Sequence, residues 1–454
     1  MSLSLFEKDW YHPLWEKMMP GKVAYEPFSW QEDLVHIPAS EPKKFTRMIG
    51  ACGRRSGKTT AIVAEVVREA FTERRDGSNI HRPAMVYVIA PNYELAMKIW
   101  EPIWDLFVGD NGPLAHLKKS HDKNRKLIDL VNGGRIQAKT ADDPKSLQGD
   151  RVTAAFVDEA HDINEEAWAN FMPALTDSKG VLRAIGIAKG KNRFRSYFQR
   201  GLDNAEGRFN SFTVPSTSNP FIDPEELELM REDLTDNEFK QQYLAEWAED
   251  DGQIFKNPDE LFDVEDWQIF NGPFLMGLDI GKLNDYTVAY VIDIPKMSIV
   301  AMDRFSGLDY TVLVPRVTNL FHSFNCQTIH TDASGVGEPV VDMLRREGCS
   351  VSPFKFTNQS KAKIISGLAA EIEHKRVHFL KNDEQLRKEL NLYEGKIMAG
   401  GQITYSAPVG YHDDCVISLA LAVEKAKKRR NTSSGANAGS YLTFSESEPW
   451  MRRW

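Results

Sequence analysis

Cysteine is scarce in this chain: Cys52, Cys326, Cys349 and Cys415 are the only 4 among 454 residues. No two of them share a spacing that builds a disulfide framework or a zinc site, so a reducing compartment is expected. Long hydrophobic runs are missing as well. No segment approaches the roughly 20 apolar residues of a membrane-spanning helix, and the first residues lack the charged-then-apolar order of a secretory leader. No membrane contact and a cytoplasmic location are the expectations that follow. An excess of positive charge is also absent, because 56 Lys and Arg face 65 Asp and Glu for a net charge of −9. That argues against a uniformly basic nucleic-acid coat while leaving room for local basic tracks. With 42% hydrophobic and 27% charged residues the composition is that of an ordinary soluble protein, and the length fits two or three domains.

What is present is organised around Met48-Ile-Gly-Ala-Cys-Gly-Arg-Arg-Ser-Gly-Lys-Thr-Thr60. An apolar strand from Phe45 runs into a loop holding Gly53, Arg54, Arg55, Ser56 and Gly57, after which Lys58, Thr59 and Thr60 open an apolar-periodic helix over residues 61–70. This is the pattern of a phosphate-binding loop. Backbone N–H groups and the helix N-terminus cradle the phosphates of ATP, Lys58 is a point charge on the β and γ oxygens, and the Thr59 hydroxyl serves Mg²⁺. The standard pattern wants glycine at position 52, where this chain has Cys52, with Gly53 one residue late.

The lead-in over residues 1–44 is rich in aromatics, among them Trp10, Tyr11, Trp15, Tyr25, Phe28 and Trp30. Within it Gln31 offers an amide that can both donate to and accept from an adenine edge, although helix packing accounts for the same residues. Residues 84–89 read as a buried parallel strand, 93–107 as a helix, and Asn132-Gly133-Gly134 as a hairpin turn. The apolar strand Thr153-Ala-Ala-Phe-Val-Asp158-Glu159-Ala-His161 then ends in two carboxylates. Asp158 suits Mg²⁺ held through water, and Glu159 suits orienting or deprotonating the water that attacks the γ-phosphate. Another buried strand over 181–188 runs into the basic stretch Lys189-Gly-Lys-Asn-Arg-Phe-Arg195, which reads as a γ-phosphate sensor, a DNA-backbone contact or a solvated loop. Residues 211–220 read as leaving the sheet. Residues 223–249 read as helical, with Phe239, Tyr243 and Trp247 as core.

The second half changes character. Strands ending at Asp279, spanning residues 285–293 and spanning 297–303 form an antiparallel meander, followed by a helix, a strand ending at Asp332, further helices, and a late helix opened by His412-Asp413-Asp414. That order is ribonuclease-H-like. It brings Asp279, Asp332 and Asp414 (or Asp413) toward one spot, with Asp285 a candidate fourth ligand. Carboxylates so placed repel one another unless divalent cations fill the gap, and two Mg²⁺ or Mn²⁺ would activate water for phosphodiester cleavage.

The combined motifs resemble the large terminase subunit of tailed bacteriophages, over roughly residues 25–425. The resemblance implies an α/β architecture: an N-terminal P-loop (ASCE-type) NTPase domain with a mostly parallel sheet, then a C-terminal RNase-H-like (RuvC-like) nuclease domain. It matches Gln31 to the family's adenine contact, Asp158 and Glu159 to its acidic pair, and Asp279, Asp285, Asp332 and Asp414 to its nuclease motifs. It also makes the Cys52 departure a family trait. Two departures remain. Gly186-Ile-Ala-Lys-Gly replaces the usual Ser-Thr-Pro-like coupling motif, and Gln148-Gly-Asp-Arg151 leaves the arginine finger open between Arg54 or Arg55 in cis and Arg151 in trans.

The expected organisation is a lead-in at 1–44, an ATPase domain at 45–250, a linker at 251–270, a nuclease domain at 271–426 and a flexible tail at 427–454. The resemblance implies double-stranded DNA, a portal protein and a small terminase subunit as partners, and a homo-oligomeric ring, a pentamer, acting in the host cytoplasm. Two rivals stand beside this motor: a repair-type helicase-nuclease, and a DNA-binding scaffold with degenerate sites.

Overall fold

Two sheets organise the chain in the computed structural model, which describes residues 27–40, 45–72, 74–75, 81–109, 112–203, 207–247, 254–265, 268–281, 286–332, 337–397, 403–406 and 413–435. The first sheet holds β1 (Arg47–Cys52), β2 (Met85–Ala90), β3 (Lys118–Asp122), β4 (Leu127–Leu130), β5 (Arg135–Thr140), β6 (Ala154–Val157), β7 (Val181–Gly186) and β8 (Phe209–Val214). Their order is β8-β1-β7-β6-β2-β5-β4-β3. The six from β8 to β5 pair in parallel, and β4 and β3 fold back antiparallel. Strands β6 and β7 are buried at every residue because helices cover both faces. Helices α1 (Lys58–Ala70) and α2 (Tyr93–Phe107) pack over Met48, Val86 and Phe156. On the other face α3 (Glu165–Phe171) and α4 (Arg193–Asp203) pack over Ile49, Tyr87 and Val157.

Three expectations need correction. Residues 211–214 do not leave the sheet. They complete β8, which pairs with β1 from Arg47↔Phe209 to Cys52↔Val214, and the chain departs only at Pro215. An edge strand with half-exposed residues carries a weak apolar signal, which is why the pattern failed there. The helix over 223–249 breaks into α5 (Pro224–Asp233), a turn at Asp236–Phe239 and a π turn at Lys240–Leu244, because Thr235 forms a fresh N-cap with a capping box to Glu238. The basic stretch 189–195 is a loop only to Asn192, since α4 begins at Arg193.

The second sheet holds β9 (Phe274–Asp279), β10 (Tyr286–Asp293), β11 (Ser298–Ser306), β12 (Ile329–Asp332) and β13 (Val351–Phe354), in the order β11-β10-β9-β12-β13. The first three form the expected antiparallel meander, while β9–β12 and β12–β13 pair in parallel. Helices α6 (Tyr310–Ser323), α7 (Gly337–Arg346), α8 (Asn358–Glu373), α9 (Glu384–Leu392) and α10 (Asp414–Gly435) complete this half. Glycine decides where α10 lies: a Cβ at Gly277 would sit 2.2 Å from Ser418 O and 2.6 Å from Ala422 N. Without one, Ser418 Oγ donates to Gly277 O at 3.1 Å and the helix lies directly on β9.

Phe255, Leu261 and Phe262, from the stretch expected to link the halves, enter the core beneath β9 and β10. The tail expected from residue 427 begins as helix, because α10 continues to Gly435. Phe444, Trp450 and Trp454 lie outside the described residues, as do Trp10, Tyr11, Trp15 and Tyr25. The halves touch where the α5 region meets α8: Glu238 bonds Ser366, His374 Nε2 lies 2.9 Å from Leu234 O, and Lys427 pairs with Asp233 at 2.9 Å.

Candidate active sites

The phosphate loop spans the gap between β1 and α1. Cys52 is the last strand residue, fully buried, and burial pushes its thiol up to about 12, so it is an inert core group. Glycine is required one residue later. A Cβ at Gly53 would lie 2.5 Å from Ser216 Oγ and 2.6 Å from Tyr243 O. The chain after β8 thus braces the loop: Ser216 Oγ donates to Arg54 O at 2.6 Å, Asn219 Nδ2 to Arg55 O at 2.6 Å, and Arg54 N to Gln242 O at 2.6 Å. Arg55 (φ 60°) and Gly57 (φ 94°) turn the backbone through the left-handed region. Ser56 is buried, and its Oγ has no hydrogen-bond partner among the described residues, an orphaned donor inside a cradle shaped for phosphate.

Gln31 is buried against this loop. Its Nε2 donates to Gly57 O at 2.9 Å and its Oε1 accepts from Phe28 N at 2.8 Å, so the lead-in is latched to the phosphate site. A charged network that sequence reasoning missed anchors that lead-in. His36 Nδ1 lies 2.7 Å from Glu65 Oε1, and Arg68 pairs with Glu65 at 2.6 Å and Glu69 at 3.0 Å, all inside the core. The available signal was three charges on the buried face of an otherwise apolar α1.

Asp158 and Glu159 stand at the end of β6, next to the loop. Asp158 Oδ1 accepts from Glu159 N at 2.8 Å, and burial lifts its carboxyl to about 6 against the pull of Lys58. Glu159 takes a left-handed backbone (φ 45°) and meets Lys58 Nζ at 3.2 Å through Oε1. Burial raises the Glu159 carboxyl, but Lys58, His161 and Arg54 together hold it below its ordinary value. Burial likewise opposes the Lys58 charge, and Glu159 and Asp158 overcome it. Thr59 and Thr60 lie half-buried in the first turn of α1. Arg54 and Arg55 are both exposed, and the Arg54 charge helps to lower the Glu159 carboxyl. Arg151 precedes the start of β6, at the end of that strand away from the loop.

In the second half Leu278 pairs with Thr331, so Asp279 and Asp332 stand side by side at the ends of parallel strands. The helix seated on Gly277 delivers Asp413 and Asp414 to the same edge, and Glu389 Oε2 caps it by accepting from Cys415 N at 3.0 Å. The Asp279 carboxyl lies well above its ordinary range, first through burial and then through Asp414, Asp413 and Asp332, with Lys361 the opposing charge. Lys361 Nζ pairs with Asp413 Oδ2 at 3.0 Å, and Tyr393 OH lies 3.5 Å from the same oxygen. Asp413 is held by Lys361, and of the two helix-start aspartates Asp414 raises the Asp279 carboxyl the more. Among the described residues no three carboxylates, imidazoles or thiolates close around a single point as a metal cage. The all-oxygen donor set and its mutual repulsion still fit hard divalent ions that keep several waters. Asp285 and His412 lie outside the described residues. Lys361 was missed in the sequence because nothing in its local pattern links it to a residue 52 positions later.

Residues 49–262 match the family described as terminase large subunit, T4likevirus-type, N-terminal, and residues 276–426 match the terminase RNaseH-like domain. The large terminase subunit of Thermus virus P23-45 is 27% identical over 419 residues, covering 83% of this chain and 84% of that protein. That of Escherichia phage T5 is 27% identical over 207 residues, 43% of this chain and 46% of that one. A solved large terminase from a thermophilic bacteriophage, in complex with ADP, superposes with a TM-score of 0.54 at 13% identity, covering 87% of this chain and 96% of the other. That likeness extends over both sheets.

Proposed function

The chain belongs to the family of large terminase subunits, and on that premise we propose that it is the ATP-hydrolysing motor and metal-dependent endonuclease of a phage genome-packaging machine. The observation that carries this reading is the pairing, in one chain, of a phosphate loop facing Asp158 and Glu159 with a separate ribonuclease-H-like edge bearing Asp279, Asp332 and Asp414.

ATP phosphates fit the cradle of residues 53–60, where Lys58 exchanges Glu159 for the β and γ oxygens. When bound, Mg²⁺ at Thr59 and Asp158 neutralises phosphate charge, and divalent ions at Asp279, Asp332 and Asp414 supply Lewis acidity at the scissile phosphodiester. Glu159 takes a proton from water as the water oxygen bonds to the γ-phosphorus and the bond to the β–γ bridging oxygen breaks, releasing ADP and phosphate. Arg54 stabilises the charge that builds on the departing groups. Hydrolysis moves double-stranded DNA into a procapsid, and the nuclease edge cuts concatemers at the start and finish. The motor works as a ring, a pentamer, on a portal protein in the host cytoplasm, with a small terminase subunit selecting the DNA.

Digestion of plasmid with Mg²⁺, Mn²⁺ or EDTA, run beside ATP turnover, tests both activities. Asp332→Ala is expected to stop cleavage and spare ATP turnover, and Lys58→Ala to do the reverse. Normal cleavage by Asp332→Ala would refute the nuclease assignment. Strand displacement on a forked duplex by the isolated protein would favour the helicase-nuclease instead.

A further inference from the structure

We propose that His161 is a positioning residue for ATP hydrolysis: it steadies the Glu159 carboxylate from the oxygen that Lys58 does not hold, and ties that carboxylate to the loop after β7. The proposal rests on Glu159 being the group that takes the proton from water.

Four observations converge on it. His161 is buried, and its Nδ1 lies 3.6 Å from Glu159 Oε2 while Lys58 occupies Oε1 at 3.2 Å. That Nδ1 has no hydrogen-bond partner among the described residues. With the N–H on Nδ1, this is a buried donor just beyond bonding distance of a catalytic carboxylate, the arrangement expected before substrate binds, since such bonds tighten in the loaded complex. When phosphate draws Lys58 away, His161 is left as the neighbour on the second carboxylate oxygen of Glu159.

The imidazole also has a place prepared for it. A Cβ at Gly186 would lie 2.9 Å from His161 Nδ1 and 3.1 Å from the backbone N of Ala160 and of His161, so the glycine at the end of β7 makes the room. Beyond it, Asn192 Nδ2 donates to His161 O at 2.8 Å and to Lys189 O at 3.1 Å, and Asn192 Oδ1 accepts from Arg195 N at 3.0 Å. The backbone of His161 is thereby joined to the basic loop and to the start of α4, in the part of the chain where the usual coupling motif is missing. Burial, outweighing Asp162 and Glu159, keeps the imidazole below its ordinary value, hence neutral with one N–H to give. Asp162 Oδ2 lies 3.4 Å from Nε2 and is half exposed, so it is the competing acceptor for the single imidazole N–H.

The test compares the full chain with His161→Ala, His161→Asn and His161→Gln, reading kcat and KM for ATP, with plasmid cleavage as the check on folding. Asparagine sets an amide N–H near the Nδ1 position and glutamine near that of Nε2. His161→Ala is expected to lower kcat about 10- to 100-fold, the size of effect of removing a group that orients a functional one, with KM within about 3-fold. Asparagine recovers most of the loss and glutamine does not. An unchanged kcat in His161→Ala, a loss carried by KM, recovery by glutamine rather than asparagine, or joint loss of plasmid cleavage in all three would overturn the proposal. Glu159→Gln separates the two levels: turnover near wild type in that variant would sink the reading of Glu159 itself.

Discussion

Each sheet presents carboxylates at the carboxyl ends of neighbouring strands, and the two sites treat the charge differently. At the first, Asp158 and Glu159 face Lys58, which opens α1 and sits 3.2 Å from Glu159. At the second, Asp414, Asp413 and Asp332 all push the Asp279 carboxyl up, while Lys361, the charge opposing them, pairs with Asp413. Two unit charges about 4 Å apart interact by roughly 4 kcal/mol at the effective dielectric of a protein site. A carboxylate pair with a built-in lysine is nearly balanced and waits for substrate to redistribute its partner. A cluster in which several carboxylates raise one another against a single lysine is tipped toward repulsion and favours added cations. The first arrangement suits a site that must cycle with each nucleotide, and the second one that acts only when metal and DNA arrive together.

The sharpest way to break this comparison is to remove each lysine. Lys58→Ala should cost at least about 10³-fold in ATP turnover, since it deletes the charge meant for the transferring phosphoryl group. Lys361→Ala should cost plasmid cleavage only about 10- to 100-fold, because it positions Asp413 and does not complete the site. Equal losses in paired kcat measurements would show that both sites depend on a resident cation. Next in size is Gly277→Ala, whose Cβ meets backbone atoms of α10. It should lower unfolding free energy by about 1–3 kcal/mol in urea titration and reduce cleavage with it, leaving ATP turnover unchanged. The smallest effect concerns repulsion itself. Asp279→Asn should raise the metal-free Tm of the nuclease half by about 2–4 °C while abolishing its response to Mg²⁺, whereas Asp158→Asn, which leaves buried Lys58 with one partner fewer, should give no gain. A calorimetric scan in which both variants move the same way would contradict the distinction.

Much of this molecule was legible before the fold was known, and the reasons are local. The helix opened by Lys58, the strand ending at Asp158, the meander before β12 and the placing of Asp279, Asp332 and Asp414 at strand ends and a helix start all follow from apolar periodicity broken by a glycine, a hydroxyl or a carboxylate. Strand β8 escaped because its place depends on pairing with β1, 162 positions earlier at the Arg47↔Phe209 register. The buried His36–Glu65–Arg68 network escaped because charges on a helix ordinarily mean a solvated face.

Gly53 and Cys52 mark the division between the two kinds of information. Sequence alone determined that a phosphate loop lies between β1 and α1, that an acidic pair follows at the end of β6, and that acidic strand ends recur in the second half, because residue type and spacing along one strand or helix are short-range properties. Only the tertiary structure decided why the glycine stands at 53, where Ser216 and Tyr243 press on it, why α10 can lie on Gly277 and carry Asp414 to Asp279, and which lysine each carboxylate site has. Those are contacts between segments more than a hundred residues apart, or between charges whose separation is set by packing, and no local pattern encodes them.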